Sequence, residues 1–241
     1  MTEEPYRWLE AINNRREYIR EQIKGGTPVF ALSRLEGILL LGVGQGQSKV
    51  FEIYDRHGFT ALGHPVDIEK LRQSAIEAAH MEGFARSTKD VTLRRLISFA
   101  LSTSLKNAFE QIFAPPFMVE SIFAELGDTP AQDVLVRVHY DGNHHYETSG
   151  VLVAHQDSKR EGEAAAWIRQ NLKPDDSLLQ VASLCLAAWK ALTDDKPFAE
   201  VTRPNPPLHG IEGKTVEAAV LDRKSPNPVH YRALEITPSK N

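Results

Sequence analysis

Cysteine is almost absent from this chain. Cys185 is the single one among 241 residues, so no internal disulfide can form. That scarcity fits a reducing compartment and leaves the fold to be held by its own apolar core. A long hydrophobic run is missing as well: no stretch approaches the roughly 18 apolar residues of a membrane span. Glu3, Glu4, Arg7 and Glu10 leave no room for the apolar centre of a signal peptide. The third absence is a strong charge of one sign. A formal net charge of -4 argues against a surface committed to nucleic acid or anionic lipid. The expectation is a soluble, cytoplasmic protein. A chain of this length buries roughly 70% of its unfolded surface, enough to fold without bridges or metals.

What is there is a regular alternation of element types. Residues 5–23 read as a helix, with Pro5 in its first turn, Leu9, Ile12, Ile19 and Ile23 on one stripe, and Gly25-Gly26 as its stop. That stripe has no neighbour in sequence, so it is expected to pack across a sheet or against another subunit. Strands follow at 28–33 and 37–43, then a glycine-rich stretch expected to be a flexible loop, then a hairpin over 49–63 turning at Asp55 to Gly58. Helical periodicity covers 67–112, with Ile68, Leu71, Ala75, Ala78, Ala79 and Met81 on one face and Gly83 as its end. Strands return at 118–125, 134–140 and 150–154. Helices follow at 161–170 and 177–193, a proline-rich irregular segment at 193–213, and final strands at 215–222 and 229–236. Strands, two helices, strands, two helices, strands is the order that two stacked sheets covered by helix pairs would produce.

Several groups of residues invite a chemical reading. Gly42-Val43-Gly44-Gln45-Gly46 imitates a phosphate loop, but position 47 is Gln and a strand follows instead of a helix N-terminus. His139, His144, His145 and His155 cluster in one strand-turn-strand region. Without cysteines or a carboxylate at fixed spacing they read as a solvated hairpin tip, not a metal site. Cys185 falls on the apolar face of a helix and reads as core. Thr27 after Gly26 resembles the junction at which some hydrolases free an N-terminal threonine as nucleophile. Such chemistry wants a lysine and a carboxylate nearby. Lys49 is available, but the strand over 38–43 brings no acidic residue, so the acidic partner is expected to be missing.

The run Lys49-Val50-Phe51-Glu52-Ile53-Tyr54-Asp55-Arg56-His57-Gly58-Phe59 resembles the alpha subunits of bacterial, actinobacterial-type proteasomes. The likeness continues at Leu71-Arg72, Gly83-Phe84, Arg86, Lys89-Asp90-Val91-Thr92, Tyr140-Asp141-Gly142 and Val216 to Asp222. The resemblance implies an α+β fold, the four-layer αββα sandwich of the N-terminal-nucleophile (Ntn) hydrolases, with an N-terminal helical extension. It implies one domain: residues 1–26 as gate segment and helix, 27–241 as sandwich. It further implies a non-catalytic, cofactor-free subunit in a ring of seven alpha copies, stacked on catalytic beta subunits. An activator, commonly a ring-shaped AAA ATPase, would place its C-terminal tail at Lys49 and Gly63. Met1, Thr2, Glu3, Glu4, Pro5 and Tyr6 would form the gate. The competing readings are a self-processing protease with Thr27 as nucleophile and a stand-alone scaffold.

Overall fold

Every residue of Gly37–Gly44 is buried, the pattern of a strand covered on both faces. Its side chains divide by parity. Leu39, Leu41 and Val43 pack into one apolar cluster with helical residues, whereas Ile38 and Leu40 pack into another with a second sheet. In the computed structural model, which describes residues 5–236, this strand is β2, the centre of a sheet ordered β10-β9-β2-β1-β8. Its other members are β1 (Val29–Ser33), β8 (Val151–Ala154), β9 (Thr215–Asp222) and β10 (Tyr231–Ala233). The second sheet is ordered β3-β4-β5-β6-β7. It contains β3 (Val50–Tyr54), β4 (His57–Gly63), β5 (Val119–Glu125), β6 (Val134–Val138) and β7 (His144–Glu147). All recorded pairings are antiparallel.

Helices cover the outer faces. On the first sheet lie α5 (Ser158–Asn171) and α6 (Leu178–Thr193), whose Trp167, Ile168, Leu184, Cys185 and Trp189 pack on Phe30, Leu32 and Leu41. Ser177 caps α6 in a reciprocal box with Gln180, and Asp157 caps α5. On the second sheet lies α2 (Pro65–Ala85). Beside it runs a helical segment made of α3 (Leu93–Arg95), a π-helical stretch (Leu96–Leu101) and α4 (Ser102–Glu110). Their Leu71, Ala75, Ile97 and Leu105 meet Phe59, Phe123 and Val136. The αββα sandwich expected from the element order is the observed fold.

The helix that precedes the first strand, α1 (Pro5–Ile23), packs by its C-terminal half. Ile19 and Ile23 are buried in the inter-sheet cluster, while Trp8 and Leu9 stay exposed. Arg15 locks α1 in place by donating to the carbonyls of Ala108, Ile112 and Ala114, the free C-terminal acceptors of α4 and the turn after it.

Four details differ from the sequence reading. Gly42, Val43 and Gly44 belong to β2 and are buried, so the flexible loop shrinks to residues after Gly44. Gly83 does not end α2. It accommodates the Tyr54 hydroxyl, which a Cβ would strike, and the helix runs on to Ala85. Met81 points to solvent, 74% exposed, instead of completing the apolar face. An extra strand, β7, occupies part of the histidine-rich region.

Candidate functional site

Lys49 stands immediately before β3, where the two sheets meet at one edge. Its backbone N–H donates to Oε2 of Glu217 at 2.7 Å, and that of Val50 to the same oxygen at 3.3 Å. Glu217 belongs to β9 of the other sheet, so one carboxylate ties the sheets together at this seam. The aliphatic stem of Lys49 then crosses β2 over Gly42 and Gly44. A Cβ at Gly42 would stand 3.0 Å from Lys49 Cβ, and one at Gly44 would stand 3.4 Å from Lys49 Cε. The glycine pattern that imitates a phosphate loop is therefore a groove for a lysine stem. At its end, Nζ donates to Thr27 Oγ1 at 2.6 Å, and the threonine hydroxyl donates onward to the Val43 carbonyl. Burial lowers the Lys49 ammonium from an ordinary 10.5 to about 8, and the nearby Glu217 charge opposes that shift.

Lys49, Thr27 and Gly63 line a cavity of about 590 Å³ with Phe51, Ile68 and Met118 as apolar wall. Gly63 has φ +130°, and a Cβ there would collide with the Met118 carbonyl, so the turn out of β4 requires glycine. Lys49 and Gly63, which the resemblance pairs, both line this cavity. Of the expected gate residues, Met1, Thr2, Glu3 and Glu4 lie outside the described residues, and Pro5 and Tyr6 begin α1. The expectation that Lys49 lacks an acidic neighbour is corrected. Glu217 supplies one from β9, 168 positions along the chain, too remote for a search confined to the adjacent strand.

A second cavity, about 680 Å³, surrounds a buried arginine. Arg137 is 1% exposed and donates through Nη2 to Glu120 Oε2 at 3.0 Å and Glu161 Oε2 at 3.2 Å. His139 Nδ1 lies 2.8 Å from the same Glu120 oxygen. Burial raises the Glu161 carboxyl against the pull of Arg137, and burial lowers the His155 imidazole. The solvated hairpin tip expected for these histidines therefore fails for His155, which is buried under the start of α5, and for His139, which is tied to Glu120. Sequence reasoning missed Arg137 altogether. Strand parity is the signal that finds it: Leu135 faces the inter-sheet core, so Arg137 does too. Among the described residues, no group of three or more metal-capable side chains is placed to hold an ion. Cys185 is buried in α6, and burial raises its thiol far above the ordinary range.

No family model matches the chain. Curated proteins do. Proteasome subunit alpha of Actinosynnema mirum is 33% identical over 225 residues, covering 92% of this chain and 81% of that protein. The corresponding subunit of Renibacterium salmoninarum is 33% identical over 220 residues, covering 90% and 83%. That of Geodermatophilus obscurus is 30% identical over 225 residues, covering 92% and 75%. The chain belongs to the proteasome subunit alpha family. In this family member the run from Lys49 to Gly63 that carries the resemblance folds as β3, β4 and the residues flanking them. No helix among the described residues of this alpha-type subunit is long and apolar enough to cross a membrane.

Proposed function

We propose that this chain forms the outer, non-catalytic ring of a bacterial proteasome core in the cytoplasm. There it gates substrate entry through residues 1–6 and docks an activator in the Lys49 cavity. Seven copies build the ring, beta subunits stacked on it carry out hydrolysis, and a ring-shaped AAA ATPase inserts its C-terminal tail beside Lys49 and Gly63. No cofactor, metal, nucleic acid or membrane enters this role. The observation that carries the docking part is the Lys49 ammonium. It is fixed by Thr27 at a cavity wall and has no carboxylate bound to it among the described residues. A carboxylate terminus is its natural counter-ion. Met81 and Phe84 on α2 and Phe99 in the π-helical stretch are large apolar side chains left to solvent, available to be covered by ring neighbours.

Lys49→Ala should abolish stimulation by a tail-bearing ATPase while ring and core assembly, read by size exclusion and electron microscopy with a co-expressed beta subunit, persist. Unchanged stimulation in that variant overturns the docking role, and failure to form a shared particle favours a stand-alone scaffold.

One observation favours a second reading. Lys49 does contact Thr27, as a threonine nucleophile would need, and Glu217 is close behind. Yet the threonine hydroxyl gives its proton to the Val43 carbonyl, and the engaged Glu217 oxygen accepts from two backbone amides. The intact mass of the purified chain separates the two readings: loss of residues 1–26 would establish self-processing and sink the non-catalytic role.

A further inference from the structure

Two lysines, Lys49 and Lys214, line the cavity at the sheet seam. Lys214, in the turn that leads into β9, has no salt-bridge partner among the described residues. The one carboxylate in the lining is Glu69, and both its oxygens are already taken. Oε1 accepts from Arg72 Nη2 and Gln73 Nε2, and Oε2 from Arg72 Nε, all at 2.8 Å. Glu217 stands behind Lys49, outside the lining, with Oε2 held by backbone amides. The cavity therefore presents two positive charges that no side chain in its wall pairs with.

A single carboxylate leaves one of them unanswered. The two lysines also arrive from different places, Lys49 from the start of β3 with its stem sunk over Gly42 and Gly44, Lys214 from the rim beside Gly44 and Gln45. The volume of about 590 Å³ falls in the range of roughly 300–1,000 Å³ typical of ligand sites and accommodates a short run of peptide. Phe51 and Ile68 offer an apolar surface to a side chain in between.

We propose that the cavity selects peptide C-termini that carry two carboxylates, with the terminal one at Lys49 and an Asp or Glu side chain near it in sequence at Lys214. This rests on the docking reading above and adds to it a sequence preference and a second recognition residue.

The test is fluorescence polarisation with labelled octapeptides on the full chain in the assembly it forms. Three peptides are compared: one with Glu near its end, the same with Gln in that place, and the Glu peptide with its terminus amidated. Wild type should bind the Glu peptide about fivefold more tightly than the Gln peptide, the size expected of one half-exposed ion pair. Lys214→Met should erase that difference while retaining the dependence on a free terminus. Lys49→Met should remove binding of both peptides with a free terminus. Melting temperatures no lower than that of wild type ensure that each variant is folded. Equal affinity for the Glu and Gln peptides in wild type, or an undiminished preference in Lys214→Met, overturns the two-carboxylate preference and leaves docking intact. Indifference to amidation or to Lys49→Met overturns docking itself, and absence of binding by every peptide at millimolar concentration counts against both.

Discussion

Lys49 and Arg137 are two buried-edge cations solved in opposite ways. Arg137 is neutralised in place by Glu120 and Glu161. Lys49 keeps its charge at the expense of a lowered pKa, about 8, because burial outweighs the attraction of Glu217. The pH consequences follow from the direction of that shift. Between about 8 and the ordinary 10.5 the unfolded chain binds a proton at this position that the folded chain has lost. The penalty on the fold is thus complete below pH 8 and fades as pH rises toward 10.5. Lys49→Met should be more stable than wild type at pH 7 by urea denaturation, and the gap should narrow steadily as pH rises from about 8 toward 10.5. A gap that widens with pH would show that Lys49 stabilises the fold. Arg137→Ala should behave differently. It strands two carboxylates in a buried site and should cost about 3–5 kcal/mol in the same measurement. Arg137→Met in combination with Glu120→Gln and Glu161→Gln should recover most of that loss.

At the scale of elements, what was legible in the sequence is what repeats with a period. The apolar stripe of α6, the apolar runs of β1 and β2, and the paired helices on each face all follow from local pattern. The site was legible only in part. Lys49 and Gly63 came from resemblance to a family, and their shared cavity depends on β4 ending where α1 and β5 pass. Glu217 and Arg137 were not found because each is a polar residue on the core-facing side of a strand. Glu217 has the parity of Ala219 and Leu221, and Arg137 that of Leu135. What such a residue meets is decided by a strand far away in sequence. The N-terminal half of α1 shows the same limit: Leu9 lies on the apolar stripe, but the sandwich ends before reaching it. Glycines at element junctions give a sharp test. Gly63→Ala forces a Cβ into the Met118 carbonyl from a φ that L-residues avoid, and should cost more than about 2 kcal/mol by thermal or urea unfolding. Gly25→Ala, with open space around it, should change stability far less.

For the whole molecule, exposed apolar side chains concentrate away from the sandwich core, on α1 at Trp8 and Leu9 and around α2 and the π-helical stretch at Phe84 and Phe99. If rings form as proposed, replacing Trp8 and Leu9 together by Ser should shift the chain toward smaller species in size exclusion. The melting temperature of the isolated subunit should stay within a few degrees, because neither side chain is packed into a cluster. A drop in melting temperature with unchanged particle size would place them in the fold instead. The tie between Glu217 and the amides of Lys49 and Val50 has a practical consequence. It holds the main chain, not the side chain, so position 49 is a socket whose occupant can be exchanged while its seat stays put. The one native thiol is sealed inside α6. Lys49→Cys would therefore give this chain a single accessible thiol at the cavity wall, ready to carry a fluorophore or a crosslinker.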